Sequence, residues 1–191
     1  RKSYNHQMII QIIHLLLSIV TTIVAGACLL RAYVFWLRIG FHPQSSNALM
    51  SYLYPVSDWI IKPLRNLLGT KGKIDVASIG AAFLIILGKV LIIWILSGSR
   101  QLFSAVIILA IFELIDLILS GVMMIVIIHI IFSWVNNFSP TQQFLGLLVE
   151  PILGPIRDKI PKLGMLDLSP LALVVIIQIL QIIVANIKQS I

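Results

Sequence analysis

The sequence predicts an all-α membrane protein with four transmembrane helices arranged as two repeats. Three observations lead to this fold class: the composition, four long apolar segments, and a polar stretch that occurs twice. Of the 191 residues, 59% are hydrophobic and 11% are charged, whereas about 25% of a soluble domain is charged. The formal net charge is +7, and we expect it to contact anionic lipid rather than nucleic acid, because the basic residues lie beside apolar spans.

The apolar segments have the length that a bilayer requires, which is about 20 helical residues. Spans are expected at about 8–37, 74–96, 102–134 and 169–187. The third of these corresponds to roughly 50 Å of helix at about 1.5 Å per residue. It must therefore tilt, project from the membrane or break near Ser120-Gly121. Ser169-Pro170 opens the fourth span, with the serine placed to cap the helix and the proline in its first turn.

A polar stretch between the first two spans recurs between the last two. Residues 58–78 and 150–170 share carboxylates, a Pro-apolar-Arg unit, a glycine and an aspartate at one spacing: Asp58 with Glu150, Pro63 and Arg65 with Pro155 and Arg157, Gly72 with Gly164, and Asp75 with Asp167. The chain thus divides into repeats 1–98 and 99–191. Because each repeat has two spans, both are expected to cross the membrane in the same direction, as parallel repeats.

Each repeat also has an amphipathic segment between its spans. From Ala48 to Leu68, apolar residues recur at three- and four-residue steps, and Pro55 and Pro63 are expected to interrupt the helix. Residues 142–160 repeat this pattern. Such an element suits an interfacial position or a re-entrant one buried against the spans. The two long loops hold eight Lys and Arg, against four in both termini and the short middle turn together, and this bias predicts that the loops face the cytoplasm.

The repeated charged residues have several candidate roles. Arg65 and Arg157 could bind a lipid phosphate, bind the carboxylates of Asp75 and Asp167 ten residues later, or serve as ordinary interface anchors. A carboxylate just before a span also meets the positive end of a helix dipole. Capping or pairing is therefore expected, with an ion path as the alternative, for Asp58, Asp75, Glu150 and Asp167.

Three charged residues lie inside predicted spans, namely Lys89, Glu113 and Asp116. A charge at a helix centre costs about 2.5–3.5 kcal/mol on insertion scales, so each needs a partner. A chain reversal at Gly98 brings Lys89 within about one turn of Glu113, which allows them to pair. Glu113 and Asp116 share one helix face. Helix pairing and a proton or cation relay both remain open.

No motif for catalysis or cofactor binding is present. The histidines His6, His14, His42 and His129 lack metal-ligand spacing, and neither a phosphate loop nor a nucleophile motif occurs. We therefore expect a protein that is not an enzyme and binds no cofactor. Haem binding through His14 and His129 is a weaker hypothesis.

The repeated motifs resemble the YggT family of small bacterial membrane proteins, which has relatives in plastids. The resemblance covers nearly the whole chain in two halves. It is closest in the second, at Ser133-Trp134, Ser139-Pro140, the run from Glu150 to Arg157, Ile160-Pro161, and Asp167-Leu168-Ser169-Pro170. The first copy is eroded, with Trp59 in place of Pro151. Where the family doubles the arginine, this chain has Asn66 and Asp158.

The resemblance implies an inner-membrane protein linked to osmotic or cation stress and cell division in bacteria, and to cytochrome maturation and nucleoid distribution in plastids. Two functions fit the residues. The first is a non-enzymatic interaction or assembly factor that contacts lipid, a membrane-protein partner or another copy of itself through its Pro-Arg elements. The alternative is a small channel or transport component using Lys89, Glu113 and Asp116. Because the second copy is the intact one, Arg157→Ala should impair function more than Arg65→Ala.

Overall fold

The computed structural model describes residues 2–38, 48–68, 75–98, 102–135, 140–159 and 167–190, and these ranges are helical with short turns and no strand. The helices are α1 Lys2–Trp36, α2 Ala48–Leu68, α3 Val76–Ser97, α4 Phe103–Val135, α5 Pro140–Arg157 and α6 Ser169–Gln189. Four are long and apolar enough to cross a membrane, over Met8–Trp36, Val76–Ser97, Phe103–Ser133 and Ser169–Gln189. The all-helical class and the four spans are confirmed.

Several sequence motifs lie outside the described residues. These are the polar run at 43–47, the turn at Ser99-Arg100, the break at 136–139, Ile160-Pro161, His42, and the repeated glycines Gly72 and Gly164. Nothing is described of the side chains of His6 and Trp134.

The expected interruption of the amphipathic segments by proline is wrong. Helix α2 continues through Pro55 and Pro63, and α5 continues through Pro151 and Pro155. All four prolines are exposed, so the missing N–H groups and the pyrrolidine rings fall on the outer side of each helix. The packed side keeps its apolar contacts, and tertiary packing supplies most of a helix's stability.

The structure excludes one alternative for the third span and corrects one expectation for the fourth. Helix α4 is continuous over 33 residues and does not break at Ser120-Gly121. Ser169 does not cap α6, because it is the first helical residue; the N-cap is Leu168, which makes no side-chain cap bond, and the proline does lie in the first turn. Gly98 ends α3 with a φ of 59°, a left-handed conformation that glycine adopts without strain.

The chain folds into two compact units whose boundary, between Leu117 and Ile118, lies within α4. In the first unit, α1 packs most closely against α3, and both helices present small buried side chains there: Ala25, Cys28, Ala32, Ala77, Ser78, Ala81 and Ala82. Small residues let helix backbones approach closely in a membrane, where dispersion contacts replace the hydrophobic effect. Ile61 of α2 and Val106 and Ala110 of α4 complete this core.

The second unit has a core of larger side chains. Val126 of α4, Val149 and Leu153 of α5, and Leu173 and Ile177 of α6 are buried together. Residues 92 positions apart, the spacing from Arg65 to Arg157, correspond between the repeats. The correspondence extends to burial, because both members of four such pairs are buried: Val34 and Val126, Ser57 and Val149, Ile61 and Leu153, and Ala81 and Leu173. Each repeat therefore anchors its amphipathic helix at an equivalent residue, Ile61 or Leu153.

Candidate functional site: the acid and arginine networks

In the first unit, Arg31 of α1 binds Asp58 of α2. Their side chains are 13% and 24% exposed and form a salt bridge, and Arg31 also donates to Ser57 Oγ at 3.3 Å. The Arg31 guanidinium lies 4.7 Å from the centre of the Tyr54 ring, within cation–π range. Lys62 Nζ lies 2.9 Å from the other Asp58 oxygen. Hydrogen bonds from Arg31 and Lys62 hold the pKa of Asp58 below its usual value.

A second network joins the end of α2 to the start of α3. Arg65 donates to Asp75 Oδ2 at 2.6 Å. Asp75 is the N-cap of α3, and its carboxylate accepts from the Ser78 amide at 3.3 Å and from Ser78 Oγ at 2.8 Å. The Asp75 side chain is fully buried. A buried carboxylate requires such donors, so Asp75 fixes the end of α2 against α3.

In the second unit, one arginine holds both repeated carboxylates. Arg157 Nη1 donates to both oxygens of Glu150 at 2.9 and 3.0 Å, and its Nε donates to Asp167 Oδ2 at 2.9 Å. The other oxygen of Asp167 accepts from the Ser169 amide at 2.9 Å. Desolvation opposes ionisation of Asp167, but the bonds from Ser169 and Arg157 outweigh it, so its pKa lies below the usual value.

The networks differ because two cations of the first repeat have no counterpart in the second. Met123 stands at the position of Arg31, and Gly154 at that of Lys62. Glu150 therefore lacks the partners that Asp58 has, and it forms a salt bridge with Arg157 instead. The first repeat's charged groups, Arg31, Asp58, Lys62, Arg65 and Asp75, sum to +1, whereas Glu150, Arg157 and Asp167 sum to −1.

Exposure also separates the two networks. In the second repeat, the side chains of Glu150, Arg157 and Asp167 are 59%, 30% and 36% exposed. In the first, Arg31 and Asp75 are shielded. We call Glu150, Arg157 and Asp167 the exposed acid network. It presents two carboxylates and one already paired arginine.

The structure also places the predicted intramembrane charges. Lys89 of α3 and Glu113 of α4 form a salt bridge, with side chains 12% and 19% exposed. Asp116 lies one turn further along α4, is exposed, and makes no hydrogen bond or ion pair within the described parts of the chain. These acids therefore have different surroundings although they share a helix face.

The two histidines whose side chains the structure describes, His14 and His129, belong to different units. His14 of α1 is exposed. His129 Nδ1 of α4 lies 3.5 Å from Gln142 Nε2 of α5, and a Cβ added at Gly146 would lie 3.9 Å from His129 Cε1. Among the described residues, no cluster of three or more His, Cys, Asp or Glu could hold a metal ion.

The sequence left capping and pairing open for the four repeated acids. Asp58 and Glu150 lie inside α2 and α5, so they cannot cap a helix start, and each pairs with an arginine. Sequence reasoning also missed Arg31 as a network residue. Its signal was the rule that an arginine within a span needs a partner. Gln181, which donates to Ser120 Oγ at 2.9 Å, was missed as well.

Four apolar spans with two charged connections define an integral membrane protein of the multi-pass class. The family model for CCB3/YggT matches residues 8–96 and 108–188, one match in each repeat. The chain therefore belongs to the CCB3/YggT family.

Three bacterial proteins that carry no functional name are similar to the chain over most of its length. The uncharacterized protein YggT of Escherichia coli K12 is 28% identical over 92% of this chain and 90% of its own length. An uncharacterized protein from the proC 3′ region of Vibrio alginolyticus is 33% identical, covering 78% of this chain and 80% of the relative. Uncharacterized protein PA0392 of Pseudomonas aeruginosa is 30% identical, covering 83% of this chain and 80% of the relative. No solved structure matches the chain.

Proposed function

We propose that this protein is a non-enzymatic interaction or assembly factor of the bacterial inner membrane and that its exposed acid network contacts a basic segment of a membrane-protein partner. The observation that carries the proposal is the exposure of Glu150, Arg157 and Asp167 in a network of net charge −1. Assembly of a membrane complex, or of the division machinery, is the kind of process that such a contact would serve.

A lipid phosphate is a poorer ligand for this site. Arg157 Nη1 and Nε already donate to carboxylates, and a phosphate would have to compete with them while facing two negative charges. A lysine or arginine of a partner meets the opposite situation, because Glu150 is more than half exposed and has free acceptor capacity. Lipid contact suits α2 better, where Trp59 and Lys62 are strongly exposed.

In this proposal, the loops that carry the networks face the cytoplasm, as the count of Lys and Arg predicts, and the two repeats run parallel, because each has two spans. Helices α2 and α5 lie at the membrane interface. Both have an exposed outer side that includes proline and apolar groups, which suits a helix half-immersed among headgroups.

Photo-crosslinking in native membranes tests the proposal. Leu147 is exposed one turn before Glu150 on α5, so a photoreactive residue at position 147 should capture the partner. The double change Glu150→Gln and Asp167→Asn should abolish the adduct, because it removes both negative charges. Asp158→Asn is the matched control, since Asp158 is exposed and makes no bond to the network. An adduct insensitive to the double change would refute the proposal.

The channel alternative makes a different prediction. If Lys89, Glu113 and Asp116 line a path, purified protein in liposomes should pass protons or cations, and Glu113→Gln with Asp116→Asn should stop the flux. The pairing of Lys89 with Glu113 gives these two charges a structural role and favours the first proposal. Flux that responds to these changes would favour the channel.

A further inference from the structure

Asp116 lies near the middle of its span, as the fourteenth of the 31 residues of Phe103–Ser133, and the Lys89–Glu113 pair lies one turn before it. Helix α3 has 22 residues, about 33 Å at 1.5 Å per residue, which matches the hydrocarbon core of about 30 Å. Lys89 is eight residues before Ser97, so the salt bridge lies about 12 Å from that end of the helix. The chain reverses after Gly98 to bring Glu113 to Lys89, so Asp116, one turn beyond Glu113 on α4, lies further from that end of α3, near its midpoint.

Asp116 faces outward at this depth. Its side chain is exposed and makes no bond to the described residues, and its neighbour Ile115 is exposed as well. Exposed surface at the middle of a span meets lipid or another protein. Ionisable groups in membranes are almost always paired or turned towards protein or water, so this carboxyl group needs a partner from outside the unit.

The chain carries a second exposed polar side chain near the middle of a span. Gln178 is the tenth of the 21 residues of α6, so it also lies at the middle of its span. It is exposed and makes no bond to the described residues, and it is flanked by exposed Val175 and Ile182. Gln181, one turn away, is by contrast bonded to Ser120.

We propose that Asp116 of one copy binds Gln178 of a second copy, so that the protein self-associates through polar contacts at the bilayer midplane. The glutamine amide has two N–H donors for a carboxylate, and its carbonyl can accept from a protonated carboxyl group. The two side chains can therefore form hydrogen bonds with each other whether the carboxyl group is ionised or protonated. This inference does not depend on the proposed function.

Disulfide trapping between two tagged copies tests the contact. In a Cys28→Ala background, one copy carries Asp116→Cys and the other Gln178→Cys, and both are oxidised in the membrane with a membrane-permeant oxidant. A disulfide joining the two tags is expected in several-fold excess over that from the control pair Ile118→Cys and Ile176→Cys. These control residues are exposed at nearly the same depth but lie on other sides of their helices. Equal yields from the two pairs, or no product joining the tags, would overturn the proposal.

A second measurement uses uncrosslinked protein. Diluting fluorescently labelled protein in liposomes should show a several-fold weaker association for Asp116→Leu and for Gln178→Leu, because each leaves the other polar group without its partner. Asp116→Asn should largely retain association, since an amide can pair with Gln178. Unchanged association in both leucine variants, or protein that stays monomeric throughout, would contradict the contact. If the Asp116→Cys copy instead forms its disulfide with a different membrane protein, the position belongs to another partner and self-association through it is wrong.

Discussion

Asp75 caps α3 with one end of its carboxylate and holds Arg65 of α2 at 2.6 Å with the other. Because the Asp75 side chain is fully buried, the cap and the ion pair stabilise the same joint between two helices. The second repeat makes the corresponding bond between Arg157 and Asp167 at 2.9 Å, but with both side chains about one-third exposed. Equivalent sequence positions therefore form a structural joint in one repeat and an accessible surface in the other.

Removal of each arginine should consequently have a different effect. Arg65→Ala leaves the buried Asp75 charge with only Ser78 as a donor, and we expect a loss of about 1.5–3 kcal/mol in the free energy of unfolding. Arg157→Ala should cost less than about 1 kcal/mol, because its pairs are exposed. Denaturant unfolding in micelles measures both. Similar losses, or a larger one for Arg157→Ala, would contradict the difference in burial.

Acid should weaken the Arg31–Asp58 contact. The pKa of Asp58 is lowered in the folded protein by bonds from Arg31 and Lys62, so its stabilising effect is complete above the unfolded pKa of about 3.9. This effect is lost as the pH falls through the lower folded value. We expect the difference in melting temperature between the wild type and Asp58→Asn to shrink as the pH drops below about 4. A difference that stays constant down to pH 2 would argue against the pair.

The Lys89–Glu113 bridge should behave as a buried pair. Either Lys89→Met or Glu113→Leu alone should cost about 3 kcal/mol, because each leaves a charge in the membrane without its counter-charge. The double variant should recover most of that loss, since an apolar pair of similar size removes both charges. Unfolding of all four proteins in micelles gives the coupling energy. Additive losses would show that the two residues do not stabilise each other.

At equivalent positions of the two cores, enlarging the small side chain of Ala81 and shortening the large side chain of Leu173 should each destabilise the protein. Ala81→Leu would force α1 and α3 apart and should cost about 1–3 kcal/mol. Leu173, the equivalent buried residue of α6, fills space between helices, so Leu173→Ala should cost about 2–5 kcal/mol through the cavity it leaves. Thermal unfolding of each variant in micelles measures the effects. A neutral Ala81→Leu would mean that α1 and α3 are not closely packed.

Much of the architecture could be predicted because span length and apolar content are local properties. The repeat spacing also indicated that Arg65 could reach Asp75, and a reversal at Gly98 indicated the approach of Lys89 to Glu113. The contact between Arg31 and Asp58 could not be derived in this way, because these residues are 27 positions apart and meet only when α2 packs on α1.

Two further features depended on packing that the sequence does not display. The continuity of α2 and α5 through proline follows from which side of each helix is buried, so Pro55 and Pro63 were misread as breaks. The switch of Glu150 to Arg157 follows from the absence of cations at Met123 and Gly154, which becomes meaningful only when the repeats are compared residue by residue.

The measurement that tests the central claim most directly is partner capture from position 147 of α5 in native membranes. The account predicts an adduct that persists in Asp158→Asn and disappears when Glu150→Gln and Asp167→Asn are combined. It also predicts that, per folded molecule, Arg157→Ala reduces capture more than Arg65→Ala, because Arg157 orients both carboxylates. An adduct that survives loss of both carboxylates, or capture that depends on Arg65 and not on Arg157, would contradict the account.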